Sequence, residues 1–174
     1  MGAPPHEPVY VVVAAPHTTN WDFPAMLTVA WACDVSPLWL GKKELFAGPL
    51  GGLLRHLGGI PVDRENPEGL VEEIGILMRS HETLAMVVPA EGTRSKGRYW
   101  KSGFHRIARD AGVPIALTFL DGPGRRGGWG PVFAPHEDIH EDMDLIRAFY
   151  ADKPGLRPAH KTDPLLRSED VAAV

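Results

Sequence analysis

The sequence predicts a single α/β domain, a largely parallel mixed β-sheet flanked by helices, and three observations carry the prediction. Residues 10–15, 83–88 and 113–120 are nearly unbroken apolar, β-branched runs, the pattern of strands buried on both faces. Segments with helical spacing lie between them, and strands that alternate with helices favour parallel pairing. A chain of 174 residues is the size of one domain and buries a full core.

Taken in order, residues 10–15 form the first strand, and Pro16 biases the residue before it toward extended geometry. Residues 23–33 are apolar on nearly every side and read as a buried helix, with Pro24 tolerated in its first turn. Residues 36–41 make a second short strand. A helical stretch over 42–57 must bend or break at Pro49, Gly48, Gly51 and Gly52. Residues 59–63 form a short strand ending at Arg64. Residues 67–80 give the clearest amphipathic helix, with Leu70, Ile74, Leu77 and Met78 on one face. A strand over 83–88 follows, then a helix over 104–111 stopped by Gly112, and a strand over 113–120. Residues 122–130 read as a glycine-rich loop with Arg125 and Arg126, Val132 and Phe133 as an edge strand, and 145–150 as part of a last helix. The core spans about 9–150, and the polar, proline-punctuated tail over 152–174 is expected to be partly mobile.

Composition excludes several classes. Net charge is −4 with both signs spread along the chain, which argues against a nucleic-acid binder with a basic surface. The single Cys33 excludes an internal disulfide framework, suits a reducing compartment, and reads as a small apolar packing residue. No apolar stretch reaches bilayer-spanning length, and residues 1–8 lack the basic region of a secretory signal. The expected location is cytoplasmic, with at most a peripheral contact on the inner face of the plasma membrane.

The stretch that carries chemistry is Pro16-His17-Thr18-Thr19-Asn20-Trp21-Asp22, between the first strand and first helix. Ligands of open α/β sheets bind beyond the carboxyl ends of strands. An imidazole takes a hydroxyl proton during attack, and a carboxylate on its other nitrogen fixes the tautomer and stabilises the imidazolium. His17 and Asp22 are therefore a candidate general-base dyad. The spacing alone is weak, since His105 and Asp110 repeat it, but those two fall within a helix. Five helical residues there turn the chain by about 140°, so the side chains diverge. There is no G-x-S-x-G elbow, so the nucleophile is expected to be the substrate's own hydroxyl.

A second signal is Glu91-Gly92-Thr93-Arg94-Ser95, just past a buried strand. Gly92 permits close backbone approach, Arg94 offers a fork suited to phosphate, and Thr93 and Ser95 add hydroxyls. Lys42, Lys43 and Arg64 also follow short strands, and cations at several strand ends of one sheet can converge on one anion.

Four blocks in order now resemble the lysophosphatidic acid acyltransferases, the PlsC-like glycerolipid acyltransferase family, and the stretch Trp100-Lys101-Ser102-Gly103-Phe104 resembles its short soluble branch. The four blocks are His17 to Asp22; Lys42-Lys43-Glu44-Leu45-Phe46; Gly58-Gly59-Ile60-Pro61-Val62-Asp63-Arg64; and Glu91-Gly92-Thr93-Arg94-Ser95, with a weaker Val113-Pro114-Ile115. The resemblance implies the glycerolipid acyltransferase-like fold. It also implies transfer of a fatty acyl group from acyl-CoA or acyl-carrier protein to a hydroxyl of a lysophospholipid-like acceptor, without a metal or resident cofactor. On that basis His17 is the base and Asp22 its partner. Glu91, Gly92, Thr93 and Arg94, assisted by Lys42, Lys43 and Arg64, bind the phosphate region of the acceptor. Pro16 stands where the family usually has Asn, Thr19 where Ser is frequent, and Ala90 where Pro is frequent. With no long helical anchor before the first strand, Trp31, Trp39, Phe46, Leu50 and Leu54 are candidates for an interfacial or acyl-chain surface.

Two other readings stand beside this one: a non-catalytic relative that binds acyl-CoA or anionic lipid, and a zinc hydrolase. The second rests on His136-Glu137-Asp138-Ile139-His140, which fits H-E-x-x-H. Pro135 and an Asp138/Glu141 capping box place the helix start near Ile139, which leaves His136 outside the helix and spoils the paired-ligand geometry.

Overall fold

The computed structural model describes residues 2–63, 67–92 and 95–171. Among them, six strands form one sheet: β1 (Val9–Ala14), β2 (Pro37–Lys42), β3 (Gly59–Val62), β4 (Leu84–Val88), β5 (Ile115–Asp121) and β6 (Arg126–Phe133). Their order is β3-β2-β4-β1-β5-β6. Pairing is parallel from β3 through β5, while β6 runs antiparallel to β5. The helices are α1 (Asp22–Trp31), α2 (Gly51–His56), α3 (Pro67–Arg79), α4 (Gly103–Ala111), α5 (Ile139–Tyr150) and α6 (Arg167–Val171).

Alternation along the central strands divides the core in two. Val11, Val13, Met86, Val88, Ile115 and Leu117 pack on one face against α3, α4 and α5. Tyr10, Val12, Ala85, Val87 and Ala116 point the other way, toward Trp39, Phe46, Trp129 and the inner side of α1. Each large apolar side chain buried here contributes about 1.5–3 kcal/mol. The chain leaves β1 for β2 on one side and returns to β5 on the other. This places a topological switch point at the carboxyl end of β1, where such sheets open a crevice.

Three elements differ from the sequence reading. First, α1 is apolar nearly all round yet lies on the surface. Trp21 just before it and Trp31 at its end are exposed, while Leu27 and Ala30 face inward. Uniform apolarity hid this, because it leaves no polar stripe to mark the outer face. Second, residues 126–133 are an eight-residue antiparallel strand closed by a tight turn, not a loop. Glycine lowers strand propensity, but Asp121 organises the turn by accepting from Gly124 N (2.9 Å) and pairing with Arg126 (2.8 Å).

Third, the described part of the tail is packed rather than loose. Thr162 and Leu166 are buried, and residues 153–166 form an extended strap over the sheet's carboxyl edge. Its backbone polar groups find partners in neighbouring loops, which a reading of local composition does not reveal.

Candidate active site

β1 delivers the chain through a cis Ala15–Pro16 peptide bond into the turn that precedes α1. Asp22, the first helical residue, is buried, and the turn folds around its carboxylate. Its Oδ2 accepts from Thr18 N (2.5 Å) and Thr19 N (2.6 Å), and the same oxygen lies 3.2 Å from His17 Nδ1. Burial pushes the Asp22 carboxyl up. The hydrogen bonds from the His17 side chain and from the Thr19 and Thr18 backbone outweigh it and hold the group below its ordinary value. Asp22 is thus kept ionised, facing an imidazole half-open to a cavity.

Glu91 sits behind the same turn at 2% exposure. Its Oε1 accepts from His17 N (2.5 Å) and its Oε2 from Thr162 N (3.2 Å). Burial pushes its carboxyl upward, more than the bonds from His17 and Thr162 draw it down. This differs from the role expected of it in phosphate binding. Both oxygens are occupied by backbone donors, and a carboxylate repels an anion, so Glu91 braces the His17 turn. Glu91→Gln is therefore expected to force an amide N–H₂ against a backbone N–H. Chemical denaturation should show a loss of about 1–3 kcal/mol, the cost of an unmet buried donor. Unchanged stability would contradict the brace.

The cavity in front of His17 has a volume of about 930 Å³, at the large end for ligand pockets. It lies between α1 and the second face of the sheet, with Phe23, Met26, Val12, Val87, Trp39 and Trp129 among its apolar walls. Polar groups among its lining are His17, Asp22, Asn20, Lys42, Gly92 and Ser95. Lys42, Gly92 and the dyad thus line one cavity, and Glu91 stands behind the His17 backbone. Gly92 adopts φ +68°, a conformation that favours glycine. Lys43 is not part of this group. It turns outward and pairs with Asp63 at 2.6 Å, on an exposed surface. Arg64, Thr93 and Arg94 lie outside the described residues.

The proposed interfacial set divides. Trp39 and Phe46 are buried, and Leu54 is half-buried on the cavity wall. Trp31 and Leu50 are exposed, at 52% and 62%, and sequence reasoning missed Trp21 (73%), Leu45 and Leu53 beside them. It also missed Thr18, Thr162 and Trp129.

The remaining motifs resolve locally. Asp138 caps α5 by accepting from His140 N, and the helix begins at Ile139. His136 precedes it and turns its Nδ1 to Asp142 (2.6 Å), so the two histidines do not share a helix face. His105 is buried with its Nε2 3.0 Å from the same Asp142. Asp110 instead pairs with Arg79 at 2.9 Å. Arg126 holds the hairpin turn, and Arg125 sits in it at φ +48°.

The site is thus an ionised carboxylate behind an imidazole, at the carboxyl end of a central parallel strand of an α/β sheet and beside an apolar cavity. The family described as Acyltransferase matches residues 5–116. The chain belongs to this acyltransferase family. It is 32% identical over 125 residues to a 1-acyl-sn-glycerol-3-phosphate acyltransferase of Streptococcus pneumoniae, covering 68% of this chain and 44% of that protein. The chain therefore spans less than half the length of that curated relative. Its fold is similar to the crystal structure of the 1-acyl-sn-glycerophosphate acyltransferase PlsC from Thermotoga maritima, with a TM-score of 0.63 at 20% identity. That match covers 83% of this chain and 64% of the other.

Proposed function

We propose that this protein transfers a fatty acyl group from an acyl thioester, acyl-CoA or acyl-carrier protein, to a hydroxyl of a lysophospholipid-like acceptor. The observation that carries the reading is the His17–Asp22 pair lining the apolar cavity. With Nδ1 turned to Asp22, the Nε2 of His17 takes the proton of the acceptor hydroxyl. The oxygen attacks the thioester carbonyl, a C–O bond forms and the C–S bond breaks. The imidazolium returns its proton to the departing thiolate, so the products are an ester and a free thiol. The acyl chain occupies the cavity. Lys42 and the Gly92 backbone face the anionic part of the substrates, with Arg64, Thr93 and Arg94 assigned the same task by family resemblance. The step uses no metal and no resident cofactor.

Thiol release from a long-chain acyl-CoA, measured with and without lysophosphatidic acid and paired with mass spectrometry of the lipid, tests this. Acceptor-dependent release with formation of a diacyl product supports it. Binding of acyl-CoA with no turnover across a panel of acceptors would overturn it in favour of a binding-only relative.

Among the described residues no helix is long and apolar enough to cross a membrane. We assign peripheral lipid contact to Trp21, Trp31, Leu45, Leu50 and Leu53. These are exposed on the outer side of α1 and on residues 45–53, two segments that also supply cavity-lining side chains. Tryptophans and leucines on a monotopic surface insert at the headgroup boundary. Replacing Trp21, Trp31 and Leu50 together by serine is expected to lower co-sedimentation with anionic phospholipid vesicles several-fold while leaving the melting temperature in place. Undiminished co-sedimentation would remove this surface from the reading.

A further inference from the structure

The strap over residues 153–166 touches both halves of the site, and its contacts are specific. Gly122 N donates to Gly155 O at 3.0 Å, fixing the start of the strap beside the β5–β6 turn. Gly155 has φ +76°, and a Cβ there would come within 2.8 Å of Thr18 Cγ2 and 3.1 Å of Pro16 Cβ. The strap thus passes as close to the His17 turn as a bare backbone allows. Arg157 N then donates to Thr18 Oγ1 at 3.0 Å, and His160 Nδ1 lies 3.1 Å from Thr18 O. Further on, Thr162 N donates to Glu91 Oε2, and Thr162 Oγ1 accepts from Gly97 N at 2.8 Å. Trp100 closes the far end: its Nε1 donates to Thr162 O at 3.0 Å and its backbone N to Leu165 O at 2.8 Å.

Thr18 is where these contacts meet the chemistry. It is 1% exposed, its backbone N–H holds Asp22 Oδ2, and its hydroxyl holds the strap. Glu91 is the second link, with His17 N on one oxygen and Thr162 N on the other. The strap is therefore joined to Asp22 through Thr18 and to the His17 backbone through Glu91. We infer that residues 155–162 are a positioning element for the His17–Asp22 dyad, with Thr18, Gly155 and Thr162 as its positioning residues. None of the three is assigned contact with the reacting atoms. They act by fixing where the imidazole and its carboxylate stand, and a displacement of about 1 Å is enough to cost an oriented reaction up to 10²-fold.

The inference rests on the dyad being the reactive pair, so its test has a readout that does not depend on turnover. Thr18→Val preserves shape and backbone but removes the acceptor for Arg157 N, whereas Thr18→Ser keeps the hydroxyl. Thr162→Val and Thr162→Ser make the same comparison where the strap is anchored, since valine removes the acceptor for Gly97 N while keeping the Thr162 N–H that bonds Glu91, with less disturbance near the turn should Thr18→Val fail to fold. Two measurements are made on each full-length variant: kcat and KM for long-chain acyl-CoA with lysophosphatidic acid, and the imidazole ¹⁵N–¹H resonances of His17. Thr18→Val is expected to lower kcat about 10-fold or more, with KM for the acyl donor within about twofold because the cavity walls are untouched. The His17 Nδ1 resonance should shift with it, and Thr18→Ser should restore both. The Thr162 pair should follow the same direction with a smaller amplitude. Gly155→Ala should reproduce the effect of Thr18→Val. If the valine variants keep both kcat and the His17 resonance while only their melting temperature falls, the strap is merely structural and the inference is overturned. If the resonance moves as expected in a protein that shows no acyl transfer, the strap stands and the proposed reaction falls.

Discussion

His17→Ala is expected to lower acceptor-dependent acyl transfer by about 10²-fold or more, the usual contribution of a positioned general base. The loss should appear in kcat, because the cavity that would hold the acyl chain is built from α1 and the second sheet face and is left intact. Stability should change little. The imidazole is partly exposed, and the group that Glu91 grips is the backbone N–H of residue 17, which alanine keeps. Comparison of kcat, KM and melting temperature for the parent and variant therefore separates lost chemistry from lost structure. Turnover equal to the parent would remove His17 from the reaction.

Asp22→Asn should be as costly for a different reason. An amide oxygen in the place of Oδ2 still faces the Thr18 and Thr19 backbone donors and His17 Nδ1, but it carries no charge. The imidazolium that forms at His17 then has no carboxylate to stabilise it. Losing that charge is expected to lower kcat by about 10²–10⁴-fold. The variant also has a pH signature. Asp22 titrates below its ordinary value in the folded state, so it adds stability above its unfolded pKa, about 3.9, and that contribution is lost as pH falls through the lower folded value. Chemical denaturation at neutral pH should find the variant less stable than the parent, with the gap closing in acid. A gap independent of pH would show that Asp22 does not stabilise the turn through its charge.

The His17–Asp22 contact was legible in the sequence because it is local: six residues on one strand-to-helix turn place both groups. Lys42 ends β2 and lines the cavity, a position that follows from its place after an apolar strand. Lys43, its neighbour, lies past the end of β2 in a short 3-10 turn and pairs outward with Asp63 instead. Glu91 stands just past a buried strand as its sequence context implies, but its partners are backbone N–H groups of His17 and Thr162. Nothing in its own neighbourhood announces Thr162, 71 positions away, as the partner of its second oxygen. Thr18 and Arg157 are separated by 139 positions, and no periodicity links them. The strand-helix alternation gave the sheet and most of its order of elements. The exposed side of α1 and the β6 strand stayed hidden, the first because apolar residues occupy every face and the second because glycine-rich strands look like loops.

The proline residues at the two flanks of the sheet have a consequence for assembly. Trp39 N bonds Gly58 O, so the N–H of Ile60 faces β2, and the amide positions of Gly59 and Pro61 face outward. Pro61 has no N–H to offer there. On the opposite flank β6 is interrupted near Pro131, where its register shifts, and Gly2 bridges to Trp129. Edges blunted in this way resist strand addition. Self-association by joining sheets is thereby disfavoured at both ends, even at the high local concentrations a crowded lipid surface would create. Copies gathered on such a surface would be kept apart by their own backbones.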